Sequence, residues 1–118
     1  MSDPVLIDEV IYARWELGED FFDEYLEYFT ATSGEVKADL QTSFVAKQMD
    51  ALESRAHDLK GLCSNLGLAR YTKHLALMEK WARESERPSL EKALARMDSL
   101  TAEAIAALKA YKAKQLES

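Results

Sequence analysis

His57, Lys60 and Gly61 stand at positions i, i+3 and i+4. On an α-helix that spacing gathers all three within about one turn of each other. A neutral imidazole near pH 7 keeps one ring nitrogen free to act as a nucleophile. An ammonium one turn further on can neutralise an anion carried by that nitrogen. Each residue also has an ordinary reading, since exposed histidines and lysines are common on helix surfaces. Gly61 is harder to dismiss, because glycine inside an exposed helix costs about 1 kcal/mol relative to alanine. A bare backbone at that point implies that something needs the space. Imidazole, cation and cleared space together describe a surface for phosphoryl transfer, where positioning and charge neutralisation matter most.

The helix that carries them has a defined inner face. At about 100° per residue, Leu52, Ala56, Leu59, Cys63 and Leu66 fall within about 40° of one direction, which is the expected core face. His57 lies about 140° away from it, and Glu53, Lys60, Gly61 and Ser64 share its side. Leu62 sits about 80° off the core direction, at a boundary. Cys63 is expected to be a small buried apolar residue and not a reactive thiol. The other histidine, His74, falls off the core stripe of its own helix beside Leu77 and Trp81 and is expected at the surface.

The whole chain reads as helices that could position this face. It has 118 residues, 47% hydrophobic and 31% charged, a composition that supports one globular domain over residues 1–118. Only 4 Gly and 2 Pro punctuate it, which favours long helices. A short helix is expected from Ile7 to Trp15, stopping near Gly18. A second starts near Glu19 and Asp20, acids suited to a helix N-terminus. Its stripe of Phe22, Tyr25, Leu26, Phe29, Val36, Leu40 and Phe44 keeps phase across Thr32-Ser33-Gly34. That favours one long, kinkable helix over a break capped by Ser33.

A third helix is expected from a cap at Asp50 to a stop at Gly67. The fourth runs from Ala69 to Ser85 with Tyr71, Leu75, Met78 and Ala82 inside. A fifth opens at Pro88 and buries Leu90, Leu94, Met97, Ile105, Leu108 and Tyr111. Short connections make neighbours antiparallel. The expected fold is therefore all-α, an up-and-down antiparallel four-helix bundle with an additional short N-terminal helix. Leu77 and Trp81 form a second apolar patch, expected to be covered by the first helix around Ile11 and Trp15. Arg70 and Lys73 offer a basic rim, although solvated charge is their default.

Bulk properties narrow the partners. The net charge of -6 opposes nucleic acid and anionic membranes. The opening Met1-Ser2-Asp3-Pro4 lacks a basic start and apolar run, and the single cysteine fits a reducing compartment. A cytoplasmic protein is expected.

The stretch Ala56-His57-Asp58-Leu59-Lys60-Gly61-Leu62-Cys63-Ser64-Asn65-Leu66-Gly67 resembles the signature of the histidine-containing phosphotransfer (HPt) family of two-component phosphorelays. Glu79 and Arg83 also sit where that family often has Glu and Arg, and Phe22, Leu26 and Phe29 resemble its preceding apolar pattern. The family often has two serines where this chain has Leu62 and Cys63, which makes its partners less predictable.

The resemblance implies that His57 accepts a phosphoryl group from a receiver-domain aspartate and passes it to another receiver. Lys60 is the candidate for phosphate stabilisation, and Gly61, Ser64 and Glu53 on the side of His57, with Leu62 at the boundary, are the candidate docking residues. The family's phosphorylated nitrogen is Nε2. The implied partners are response-regulator receiver domains or a hybrid histidine kinase, and the chain would be a monomeric phosphocarrier without kinase activity of its own. No cofactor or metal is expected in this chain, with Mg²⁺ held in the receiver's acidic pocket. The rival readings are a non-catalytic helical adaptor of the same fold, a metal- or haem-binding bundle, and a dimeric phosphotransferase built around a helical hairpin. Loss of His57 or Gly61 would mark the adaptor, and both are present. The bundle would need repeated Glu-x-x-His pairs, which the sequence lacks.

Overall fold

Glu19 and Asp20 open a helix that does not stop at Thr32-Ser33-Gly34. Ser33 is buried, and its hydroxyl donates to the Phe29 carbonyl at 2.7 Å, satisfied within the helix and not used as a cap. The computed structural model describes residues 3–117, so Ser118 and the first two residues of the opening stretch examined for a leader lie outside it. Its elements are α1 (Asp8–Trp15), α2 (Glu19–Val45), α3 (Met49–Asn65), α4 (Ala69–Arg83), α5 (Arg87–Ala95) and α6 (Met97–Glu117). Among the described residues there is no strand. The fold is all-α, with α2, α3, α4 and the α5–α6 pair running up and down and α1 added against α2.

Three helices end in the same way. Lys47, Gly67 and Ser85 take positive φ values of 60°, 74° and 52° just past α2, α3 and α4. The next residue's N–H then reaches back over the last turn: Gln48 to Ser43 O at 2.8 Å, Leu68 to Cys63 O at 2.9 Å, and Glu86 to Trp81 O at 2.8 Å. Each is a Schellman closure, which satisfies helix-end carbonyls and reverses the chain within a few residues. Gly67 has a second reason to be glycine. A Cβ there would lie 2.8 Å from the Ile7 carbonyl oxygen and 3.0 Å from the Val10 Cβ. The Ile7 N–H donates to Gly67 O at 2.7 Å and the Arg70 N–H to Pro4 O at 3.1 Å, so the segment before α1 clasps the α3–α4 turn.

The core joins all these elements. Trp15 meets Phe22 edge-on at 5.4 Å, Phe22 stacks on Tyr111 at 6.2 Å, and Phe29 meets Tyr71 edge-on at 6.3 Å. Leu52, Ala56, Leu59, Cys63 and Leu66 all lie inside, as the wheel of α3 requires.

Four expectations need correction. Asp50 does not cap α3, which starts at Met49 without a side-chain cap; the aspartate sits in the first turn, where its charge still faces the helix dipole. The last helix is two. Arg96 separates α5 from α6, its N–H bonding to Ala93 O at 3.2 Å in a tighter i→i−3 step. The buried residues Leu90, Ala93, Leu94, Met97, Leu100, Ala104 and Leu108 stay in helical phase across that break, so periodicity carries no sign of it. The Leu77–Trp81 patch is not sealed by α1, because Trp15 turns to Phe22 of α2 and Leu77 remains exposed. Arg70 and Lys73 do not form a free rim. Arg70 pairs with Glu103 and donates to the Asp3 carbonyl, while Lys73 pairs with the Asp3 carboxylate at 3.2 Å.

Burial pushes the Cys63 thiol up to about 12, so almost no thiolate exists near neutrality. Native protein is expected to react slowly with a thiol reagent and denatured protein quickly. Immediate labelling of the folded chain would show that the inner face of α3 is assigned wrongly.

Candidate functional site

The turn at Gly67 sets which residues of α3 and α4 meet. His57 and Glu79 stand equally far in sequence from Leu68, and so do Glu53 and Arg83. Antiparallel packing brings both pairs together. The Glu79 Oε2 lies 3.3 Å from His57 Nδ1, and Arg83 meets Glu53 at 2.8 Å. Lys60, one turn beyond His57, places its ammonium 2.8 Å from the other oxygen, Glu79 Oε1.

The three side chains differ sharply in exposure. The Glu79 side chain is 9% exposed and Lys60 28%, whereas His57 stands 67% exposed. Burial of the Glu79 carboxyl opposes its ionisation, but Lys60 and His57 outweigh that and hold it below the usual carboxylate range. An ionised carboxylate only accepts hydrogen bonds. It therefore selects the imidazole tautomer with the proton on Nδ1 and the lone pair on Nε2.

Gly61 is exposed, and a Cβ built on it would meet nothing within 4 Å. The fold itself thus makes no demand for glycine there. Ser64 is exposed on the same side of α3, Glu53 is held by Arg83, and Leu62 is half-buried against the core. Among the described residues no three potential ligands converge to hold a metal ion, and no helix is long and apolar enough to cross a membrane.

Glu79 is the residue whose part in the site the α3 motif alone does not reveal. Its sequence signal is an acid wedged among the buried positions Leu75, Met78 and Ala82, where an apolar or small residue is the default. His74 is not the surface residue expected. It is half-buried, and its Nε2–H donates to the Ala93 carbonyl at 3.0 Å, tying α4 to α5.

Burial holds the His74 ring below its ordinary value of 6.5, against the Ala93 hydrogen bond. The folded state therefore prefers neutral His74. Its contribution is complete above pH 6.5 and is lost as pH falls from there through the lowered folded value. His74→Gln should flatten the fall in thermal midpoint below pH 6.5. A pH profile identical to wild type would remove His74 from the acid response.

The family model for the Hpt domain matches residues 24–111 of the chain. Among solved structures, the crystal structure of histidine-containing phosphotransfer protein B (HptB) from Pseudomonas aeruginosa PAO1 is similar to it at a TM-score of 0.85. The two share 26% sequence identity, over 96% of this chain and 98% of that one. No curated protein matches.

Proposed function

The chain belongs to the Hpt domain family, and from that premise we propose that it carries the phosphoryl group of a phosphorelay on Nε2 of His57. Histidine phosphotransfer within a phosphorelay is the function the family and the HptB likeness establish, with receiver domains and histidine kinases as the partners of such domains. The observation that carries the assignment to His57 is its pairing with buried Glu79 while most of the ring stays exposed.

The transfer can be followed atom by atom. The Nε2 lone pair attacks the phosphorus of an aspartyl phosphate in a receiver domain. The N–P bond forms as the P–O bond to the aspartate breaks, and the aspartate leaves as a carboxylate. The ring keeps its Nδ1 proton, so it becomes cationic, and the Glu79 carboxylate offsets that charge. Lys60 faces the phosphate from one turn away and offsets its negative charge. Passing the group to a second receiver reverses each of these changes.

Mg²⁺ belongs to the receiver's acidic pocket in this scheme, and the chain is a carrier without kinase activity of its own. We place it in the cytoplasm as a monomer, docking through Gly61, Ser64, Glu53 and Leu62.

The direct test is incubation with a panel of phosphorylated receiver domains. Label should move to this chain in a form lost in acid and stable in base, as an N–P bond requires. Failure of every receiver to transfer label, or a label stable in acid, would overturn the proposal.

A further inference from the structure

Two parallel stripes run along the start of α2. Phe21, Tyr25 and Tyr28 stand at i, i+4 and i+7, and Asp20, Glu24 and Glu27 repeat the same spacing one residue earlier. Aromatic residues at helical spacing normally mark a core. Here Phe21 is 54% exposed and Tyr28 61%, while the core side of the helix is taken by Phe22 and Phe29. Tyr25 is half-buried with the Arg14 guanidinium over its ring at 5.8 Å. A groove lined by Phe21, Glu24, Tyr25, Glu27 and Tyr28 follows the stripe.

Acids dominate the charge beside this surface, although the Arg14 guanidinium rests over Tyr25. Between Trp15 and Phe29 the chain has no lysine or arginine. Lys112 of α6 takes Glu19 and Asp23, at 3.3 and 2.7 Å. Glu16, Asp20, Glu24 and Glu27 have no ion pair among the described residues.

That charge decides what the stripe fits. A second copy of this chain would bring the same unpaired acids against themselves, and anionic lipid or nucleic acid would be repelled. A helix with an apolar face and basic flanks is complementary in both respects, because a stripe at i, i+4 and i+7 is the surface that helix-on-helix packing reads. We propose that the start of α2 is a docking surface for a basic amphipathic helix of a partner protein. Its apolar face would seat on Phe21, Tyr25 and Tyr28, and its lysines or arginines would meet Asp20, Glu24 and Glu27.

This surface is separate from the one around His57. Counting back from the α2–α3 turn, where Arg55 meets Asp39, His57 lies level with Lys37 of α2. Tyr28 is about 14 Å further along the axis and Phe21 about 24 Å. A partner held there leaves the imidazole open, so tethering and phosphoryl transfer can occur together.

The test uses two synthetic helical peptides of about 18 residues, roughly 27 Å long. Both carry the same leucine face, one flanked by lysines and the other by glutamates. The lysine peptide should bind the full-length protein, shift the amide resonances of residues 20–28, and weaken as salt rises. Phe21→Ser and Tyr28→Ser should each weaken binding about tenfold. Val45→Ser, at an exposed apolar site on the far end of α2, should leave binding unchanged, and all three variants should accept phosphoryl groups like wild type. Equal binding of both peptides would overturn the proposal. So would shifts centred on His57 and Leu62, undiminished binding by Phe21→Ser, or light scattering that shows a dimer abolished by Phe21→Ser.

Discussion

His57→Gln protein is expected to fold as the parent does and to take up no phosphoryl group from any phosphorylated receiver domain. Both halves follow from where the ring sits. Its side chain is 67% exposed and its one hydrogen bond, to Glu79, is long at 3.3 Å. Replacement should therefore change stability by no more than about 0.5 kcal/mol. Glutamine offers a neutral amide in place of the imidazole, and an amide nitrogen has no lone pair available for attack on phosphorus.

His74 cannot substitute, because its ring is half-buried and engaged with the Ala93 carbonyl. His74→Gln should accept label as the parent does, whatever it loses in acid stability. The two variants are compared by label uptake and thermal midpoint on the same preparations. Label that persists in His57→Gln would move the acceptor elsewhere.

The second large effect separates stability from activity at Gly61. This glycine is exposed in the interior of α3, and added atoms would meet nothing within 4 Å. Gly61→Ala should therefore stabilise the helix by about 1 kcal/mol. Gly61→Trp should also fold, since its ring would extend into solvent. In that position the indole stands one turn from His57, where a receiver's active-site loops have to approach. An approach error of about 1 Å can cost around a hundredfold in rate, and an indole imposes more than that. The expected result is a protein as stable as the parent with transfer reduced at least a hundredfold. Full transfer by folded Gly61→Trp would show that receivers do not dock over this face.

The residues that reveal themselves in sequence are those whose surroundings are local. The wheel of α3 turns Cys63 inward and His57 outward because both lie on one regular helix with a clear apolar side. The continuity of α2 is legible for the same reason, since its stripe holds phase through Ser33. What escapes is set between elements. The break at Arg96 preserves the phase of the buried residues, so no period betrays it. The half-burial of His74 depends on α5 crossing beside α4, and the short pairing of Lys60 with Glu79 depends on the offset between two helices. A motif read on one helix gives the nucleophile and the cation, but the carboxylate that joins them belongs to the next.

That offset has the precision of a vernier, and the clasp over Gly67 is what locks it. One residue of slip along α4 advances it by 1.5 Å and rotates it by about 100°. Opposite the imidazole would then stand Met78 or Lys80 in place of Glu79. Methionine would leave the ring free to hold either tautomer, and lysine would set a cation against Nδ1 and invert the local field. The left-handed turn at Gly67, with the backbone bonds from Ile7 to Gly67 and from Arg70 to Pro4, holds the present setting. The protonation pattern of a single exposed ring is thus calibrated by the chain's opening segment, which touches neither His57 nor Glu79.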